Sequence, residues 1–260
     1  MGRPGPHLPK KRLGQHFLVD PNTARIVARG VIGDDVVLEV GPGRGALTIV
    51  LAERARLVHA VELDHDVFPI LKEVLDGHRN VLVHEGDALA FDYKSLEPQP
   101  NKLVANLPYN VASALVLRLL EEAGFLEKLR FMVQLEVARR MAAERRTKDY
   151  GAYAVLVQLL AEVRVVHKVS PRVFDPPPRV WSAIVAMERG EKPKDYERVK
   201  ELVISAFRSR RKRLVNNLPE ALRGRAPEAL RSLGYLPDAR AEELTPGDFT
   251  TLSHLLSELV

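Results

Sequence analysis

The chain is 260 residues long, 46% hydrophobic and 28% charged, which is enough for one large folded domain, or a domain with a small appendage, and argues against global disorder. It has no cysteine, which excludes a disulfide framework and a thiolate metal centre and points to a reducing, cytoplasmic setting. Thirty-nine lysines and arginines against 34 acidic residues give a net charge of +5, compatible with a polyanionic partner, and no apolar stretch is long enough to cross a bilayer.

Residues 1–12 are basic and rich in Pro and Gly, without the hydrophobic centre of a secretion signal, and read as a mobile arm. Leu13-Gly14-Gln15-His16-Phe17-Leu18 follows, and Asp20 or Asn22 is placed to cap a helix running to about Gly30. Val36–Val40, Leu57–Glu62, Val81–Glu85, Lys102–Asn106 and Leu129–Leu135 are short β-rich apolar runs. Ala46–Ala55, Asp66–Leu75 and Ala112–Glu122 between them have helical spacing, so the pattern predicts a parallel sheet covered on both faces. Val163–Val169 and Ser182–Glu188 are expected to form an antiparallel hairpin at one edge, around a stiff Phe174-Asp175-Pro176-Pro177-Pro178 corner. At Gly190-Glu191-Lys192-Pro193-Lys194 the composition turns charged and turn-forming, and beyond it lie helical segments at Tyr196–Arg208, Pro227–Leu233 and Pro246–Leu259. The prediction is a doubly wound, Rossmann-like α/β domain over residues 1–188 and a small helical domain over 189–260.

Glu39-Val40-Gly41-Pro42-Gly43-Arg44-Gly45 follows the first long strand and opens a helix, where glycines allow a ligand close to the backbone. The same residues fit the loose dinucleotide pattern, so a nicotinamide-dependent oxidoreductase stays open at this point. Glu62, 21 residues after Gly41, can accept from both ribose hydroxyls in either case. Asp87 follows the third strand and can receive an adenine amino group or merely cap a turn. Asn106-Leu107-Pro108-Tyr109 ends the fourth. Pro108 disfavours a helical Leu107 and favours an extended turn there, freeing backbone carbonyls near the Asn106 side chain to accept from an amine while Tyr109 offers a stacking face; the bland alternative is an ordinary strand-ending turn. Four such positions on one rim suit the adenosyl part of S-adenosylmethionine, whose methyl group is already activated. The eight histidines show no H-E-x-x-H spacing, and there is no G-x-S-x-G or G-K-[ST] motif. No metal is expected.

With these motifs, and with Lys11-Arg12-Leu13-Gly14-Gln15-His16-Phe17-Leu18, Phe174 to Val180 and Arg210-Arg211-Lys212-Arg213-Leu214-Val215-Asn216-Asn217, the chain resembles the KsgA-type ribosomal RNA adenine dimethyltransferases, relatives of the Erm methyltransferases. The resemblance implies a class I methyltransferase fold and S-adenosylmethionine-dependent N6-dimethylation of two adjacent adenosines in a hairpin loop near the 3′ end of small-subunit ribosomal RNA. It also implies work on a 30S-type pre-ribosomal particle during subunit biogenesis, here by a monomer without a membrane partner. By position, His16, Leu18, Gly41, Gly43, Glu62, Asp87 and Asn106 would contact the methyl donor. Asn106, Leu107, Pro108 and Tyr109 would hold the base, with Phe174 closing from the other side. Plain core packing is the competing reading of Phe174, and a simple hydrogen bond that of His16. Lys10, Lys11, Arg12, Arg208, Arg210, Arg211, Lys212 and Arg213 are the candidate RNA contacts; Arg139, Arg140, Arg145, Arg146 and Lys148 read equally well as a solvated helix face. Three places depart from the family pattern: Trp181 stands where an acidic residue is common, Arg213 where a threonine is usual, and Ala152-Tyr153 where Leu-Ser usually follows the glycine.

Overall fold

A computed structural model describes Lys10 and residues 14–257, so most of the expected arm, including Lys11 and Arg12, lies outside the described residues. The chain separates into two compact units: residues up to Ala138 together with Arg164–Arg189, and Arg139–Val163 together with the chain from Gly190 onward.

The first unit begins with β1 (Phe17–Leu18) and α1 (Pro21–Val27). Asp20 caps α1 by accepting from the Thr23 backbone N–H at 2.7 Å, and Pro21 occupies the first turn, where a missing N–H costs nothing. Then come β2 (Val36–Val40), α2 (Ala46–Ala52), β3 (Leu57–Glu62), α3 (Phe68–Val74), β4 (Val81–Glu85), β5 (Lys102–Asn106), α4 (Ala112–Glu122) and β6 (Lys128–Gln134). The remaining elements in order are α5 (Leu135–Met141), α6 (Ala152–Gln158), β7 (Ala161–Val169), β8 (Phe174–Asp175) and β9 (Ser182–Arg189), then α7 (Tyr196–Ala206), α8 (Leu214–Asn217), α9 (Glu220–Arg223), α10 (Ala226–Ser232) and α11 (Pro246–Ser257).

The main sheet has seven strands in the order β4-β3-β2-β5-β6-β9-β7. The pairings from β4 through β6 are parallel, and β9 joins β6 antiparallel with Ser182 opposite Gln134. Every residue of β2 is buried, the outcome for a β-branched run in a sheet covered on both faces. The chain steps outward from β2 through β3 to β4, then returns to lay β5 on the other side of β2. That reversal opens a crevice at the carboxyl ends of β2 and β5, the place where ligands of open α/β sheets bind. β7 and β9 are sheet neighbours at one edge, as the sequence suggested.

A separate two-stranded ribbon was not foreseen. β1 pairs antiparallel with β8, setting Phe17 opposite Asp175 and Leu18 opposite Phe174. All of these except Asp175 are buried, so apolar burial holds together segments far apart in the chain.

In the helical unit, Tyr150, Tyr196, Val203, Phe249 and Leu252 are buried, and the Tyr150 hydroxyl donates to the Leu244 carbonyl at 2.8 Å. Residues 139–163, which no break in composition separates from the sheet, belong to this unit because α6 packs on α7 and α11.

Candidate methyl-transfer site

At the end of β2 the glycine turn runs through positive φ at Gly41 (71°), Gly43 (54°) and Gly45 (84°), the last serving as N-cap of α2. Gly43 is also pressed by its neighbour: a Cβ there would lie 2.8 Å from the Phe17 ring. Arg44 stacks over that ring at 4.5 Å and binds the Asp175 carboxylate at 2.9 Å, so the ribbon is fastened directly to the glycine turn.

Glu62 ends β3 and is buried. One of its carboxylate oxygens accepts from the Gly43 N–H at 3.2 Å, the other from the backbone N–H groups of Leu63 and Asp64 at 2.9 Å. Burial raises its pKa, and the three backbone bonds partly oppose that rise. Glu39, inside β2 and 1% exposed, is pushed up to about 8 by burial, with the charge of Glu62 adding to the effect. Its Oε2 atom has no hydrogen-bond partner. A lone acid inside an otherwise apolar strand was the signal available for Glu39, and the sequence reading did not use it.

Asn106, at the end of β5, donates through Nδ2 to the His16 carbonyl at 3.2 Å. A carbonyl can only accept, so this bond fixes the amide orientation and turns Oδ1 the other way. Oδ1 is buried and unpartnered. Leaving a buried acceptor without a donor costs about 1–3 kcal/mol, so the atom calls for a ligand. The turn beyond it is firm: Leu107 is buried with its N–H on the Met132 carbonyl at 3.1 Å, and the Pro108 carbonyl accepts from Val111 and Ala112 at the start of α4. The Tyr109 hydroxyl is bonded to Ser182 Oγ at 2.5 Å, and burial pushes its pKa up to about 12. Ser182, at the start of β9, gave no sign in the sequence of being the residue that orients Tyr109.

His16 reaches the Pro176 carbonyl through Nδ1 at 2.8 Å, and its ring lies 5.4 Å from that of Tyr109. His16, Leu18, Gly41, Gly43, Glu62, Asp87, Asn106, Leu107, Pro108 and Tyr109 all line one cleft that opens to solvent. Asp87 lines the cleft, and its Oδ1 accepts from the Leu89 N–H at 2.9 Å, the turn-capping contact considered for it.

Phe174 does not face Tyr109 as a parallel plate. It is 3% exposed and packs in the core with Leu18, Val27, Met132 and Ile184, meeting Tyr109 edge-on at 76° with ring centres 6.4 Å apart. Its ring is buried among these apolar side chains.

Two basic candidates are engaged elsewhere. Lys10 sits between Asp64 and Asp66 and donates to the former, while Gln15 holds the second Asp64 oxygen at 2.7 Å, so Lys10 closes an acidic pair rather than presenting a free charge to phosphate. Arg210 donates to the Lys148 carbonyl at 2.6 Å and to the Thr147 carbonyl and Glu242 at 3.3 Å. Arg208, Arg211, Lys212 and Arg213 are exposed. Asn217 ties down the turn that carries them, donating to the Ala206 and Ser209 carbonyls at 2.7 and 2.9 Å. Among the described residues no group of three or more His, Asp or Glu is placed to hold a metal ion.

A family model for ribosomal RNA adenine dimethylases matches residues 7–258. The chain belongs to the ribosomal RNA adenine dimethylase family. It is 66% identical to the ribosomal RNA small subunit methyltransferase A of Rubrobacter xylanophilus, over 96% of this chain and 95% of that protein. Among solved structures it is similar to a dimethyladenosine transferase from Plasmodium falciparum (TM-score 0.76, 26% identity, 91% of this chain and 96% of that one). It is also similar to the 23S rRNA methyltransferase ErmE (TM-score 0.72, 34% identity, 92% and 99%). The dimethylase family takes the place of the oxidoreductase alternative, and the seven-stranded α/β architecture is the class I methyltransferase fold of these structures.

Proposed function

We propose that this dimethylase acts on small-subunit ribosomal RNA, transferring methyl groups from S-adenosylmethionine to N6 of two adjacent adenosines in a hairpin loop near the 3′ end. The unpaired, buried Oδ1 of Asn106 on the wall of the cleft carries the reading. The 66% identity to a small-subunit enzyme, against 34% to a large-subunit one, favours the small subunit.

The cleft fits the donor on its own terms. The glycine turn leaves backbone exposed where side chains would fill the space, Glu62 is anchored where ribose hydroxyls can donate to it, and Asp87 stands at the next strand end. When bound, S-adenosylmethionine supplies a methyl carbon already activated by the positive sulfur that it leaves.

The chain's own residues act on the other reactant. The exocyclic nitrogen of adenine is a poor nucleophile because its lone pair is delocalised into the ring. Asn106 Oδ1 and the Leu107 carbonyl accept its two N–H groups, which localises the lone pair toward the donor side of the cleft. Tyr109, its hydroxyl held by Ser182, offers a ring face to the base. No dedicated base is required before attack, since the nitrogen proton becomes acidic only as the new bond forms and can then leave to water. Phe174 can close on the base only by leaving its core position.

We assign methyl transfer to the sheet unit and RNA holding to the helical unit through Arg208, Arg211, Lys212 and Arg213, as a cytoplasmic monomer engaging a pre-ribosomal particle. The test is incubation with labelled S-adenosylmethionine and unmethylated small subunits, followed by mapping of the label. Two adjacent dimethylated adenosines near the 3′ end are expected. Label in large-subunit RNA instead would overturn the assignment.

A further inference from the structure

Trp181 is the only tryptophan of the chain and is 52% exposed. A large ring left half in water beside a well-packed sheet has a face open to a stacking partner. Among the described residues it stacks on no ring or cation, and its indole N–H has no acceptor. Its backbone, by contrast, is fixed. The Trp181 carbonyl accepts from the Leu135 N–H at 2.9 Å, and the next residue, fully buried Ser182, enters the β6–β9 ladder opposite Gln134. The ring therefore stands on a rigid mount.

Ser182 is also the residue whose hydroxyl is bonded to Tyr109. From the Tyr109 hydroxyl, one hydrogen bond, one seryl side chain and one Cα–Cα step of about 3.8 Å lead to Trp181, placing its Cα within roughly 9 Å at the rim of the sheet, with its side chain on the strand face opposite that of Ser182. Arg179, Val180 and Trp181 are exposed in succession on this stretch, a cation and two apolar side chains together. Resting on the dimethyltransferase reading, we propose that Trp181 is a stacking platform for the base next to the target adenosine, with Arg179 meeting the adjoining phosphate. A hairpin loop offers unpaired bases to such a platform, whereas an A-form helix hides them.

The test compares Trp181→Ala, Trp181→Phe and Trp181→Leu on unmethylated small subunits. Trp181→Ala should raise KM for the subunit roughly tenfold, the loss expected for one stacked base, with kcat and the affinity for S-adenosylmethionine within about twofold. Trp181→Phe should recover most of the loss and Trp181→Leu little of it. The single tryptophan reports on itself as well: its emission should fall when a hairpin containing the loop binds. An unchanged KM in Trp181→Ala, equal rescue by leucine and phenylalanine, or unchanged emission on a hairpin shown by gel shift to bind would overturn the proposal. If the wild-type protein transferred no methyl group to the subunits, the dimethyltransferase reading itself would fall, a result distinct from any of these.

Discussion

The Asn106 amide and the His16 carbonyl, 90 positions apart in sequence, meet at 3.2 Å, and this one bond decides which end of the amide faces the cleft. Asn106→Ala removes the acceptor, and turnover should drop on the order of 10²-fold with the fold intact, by comparison with the loss of other preorganised polar groups. Asn106→Asp should be no better, because a carboxylate cannot donate to the His16 carbonyl. Single-turnover methylation measures both, and near-normal rates in Asn106→Ala would refute the role.

Gly43→Ala tests the glycine turn. The residue has a φ of 54°, and the added methyl would lie 2.8 Å from the Phe17 ring. Left-handed backbone alone should cost roughly 1–2 kcal/mol, and displacement of Phe17 should disturb the pairing of β1 with β8. A lower Tm together with weaker S-adenosylmethionine binding by calorimetry is expected. An unchanged Tm would show that the turn relaxes freely.

Glu39 makes stability depend on pH. Burial raises its pKa from the ordinary 4.5 to about 8 in the folded chain, so between these values the folded state holds a proton that the unfolded state has lost. Its contribution is fully present below pH 4.5, declines as pH rises, and is exhausted above about 8, a span worth on the order of a few kcal/mol. Glu39→Gln, neutral throughout, should be more stable than wild type at pH 8 and nearly equal at pH 4.5, as read from urea midpoints. Parallel profiles for the two proteins would show that Glu39 is ionised in the fold.

The exposed basic turn should govern the salt response. Replacing Arg211, Lys212 and Arg213 with glutamine should make log K for RNA against log salt shallower by about 2–3, at roughly 0.7–0.9 per lost phosphate contact. Arg210→Gln should instead lower Tm, since its guanidinium is bonded to Lys148, Thr147 and Glu242. Anisotropy titrations over a range of salt concentrations separate the two. Equal slopes for wild type and the triple variant would remove this turn from the RNA contacts.

The strands of the main sheet were legible within a residue or two because their apolar, β-branched runs are short and bounded by turn residues; β2, buried throughout, is the clearest, while β4 at the sheet edge is mostly exposed. The helices α5 and α6 and the short turns α8 and α9 were passed over. They are four to seven residues long, too short for a 3.6-residue period to stand out. The expected helix at Asp66–Leu75 is a 3-10 turn at His65–Val67 followed by a helix from Phe68.

Taken alone, the chain determined its family, the strand-end positions of Gly41, Glu62, Asp87 and Asn106, and the class of molecule that they suit, since motif chemistry is local and one rim collects the carboxyl ends of parallel strands. The tertiary structure decided the rest. It brought His16 to Asn106, Ser182 to Tyr109 and Phe17 to Gly43, turned Phe174 into the core, and spent the charge of Lys10 on Asp64. None of these pairings has a sequence period, because each arises where packing brings distant segments within hydrogen-bond or van der Waals reach.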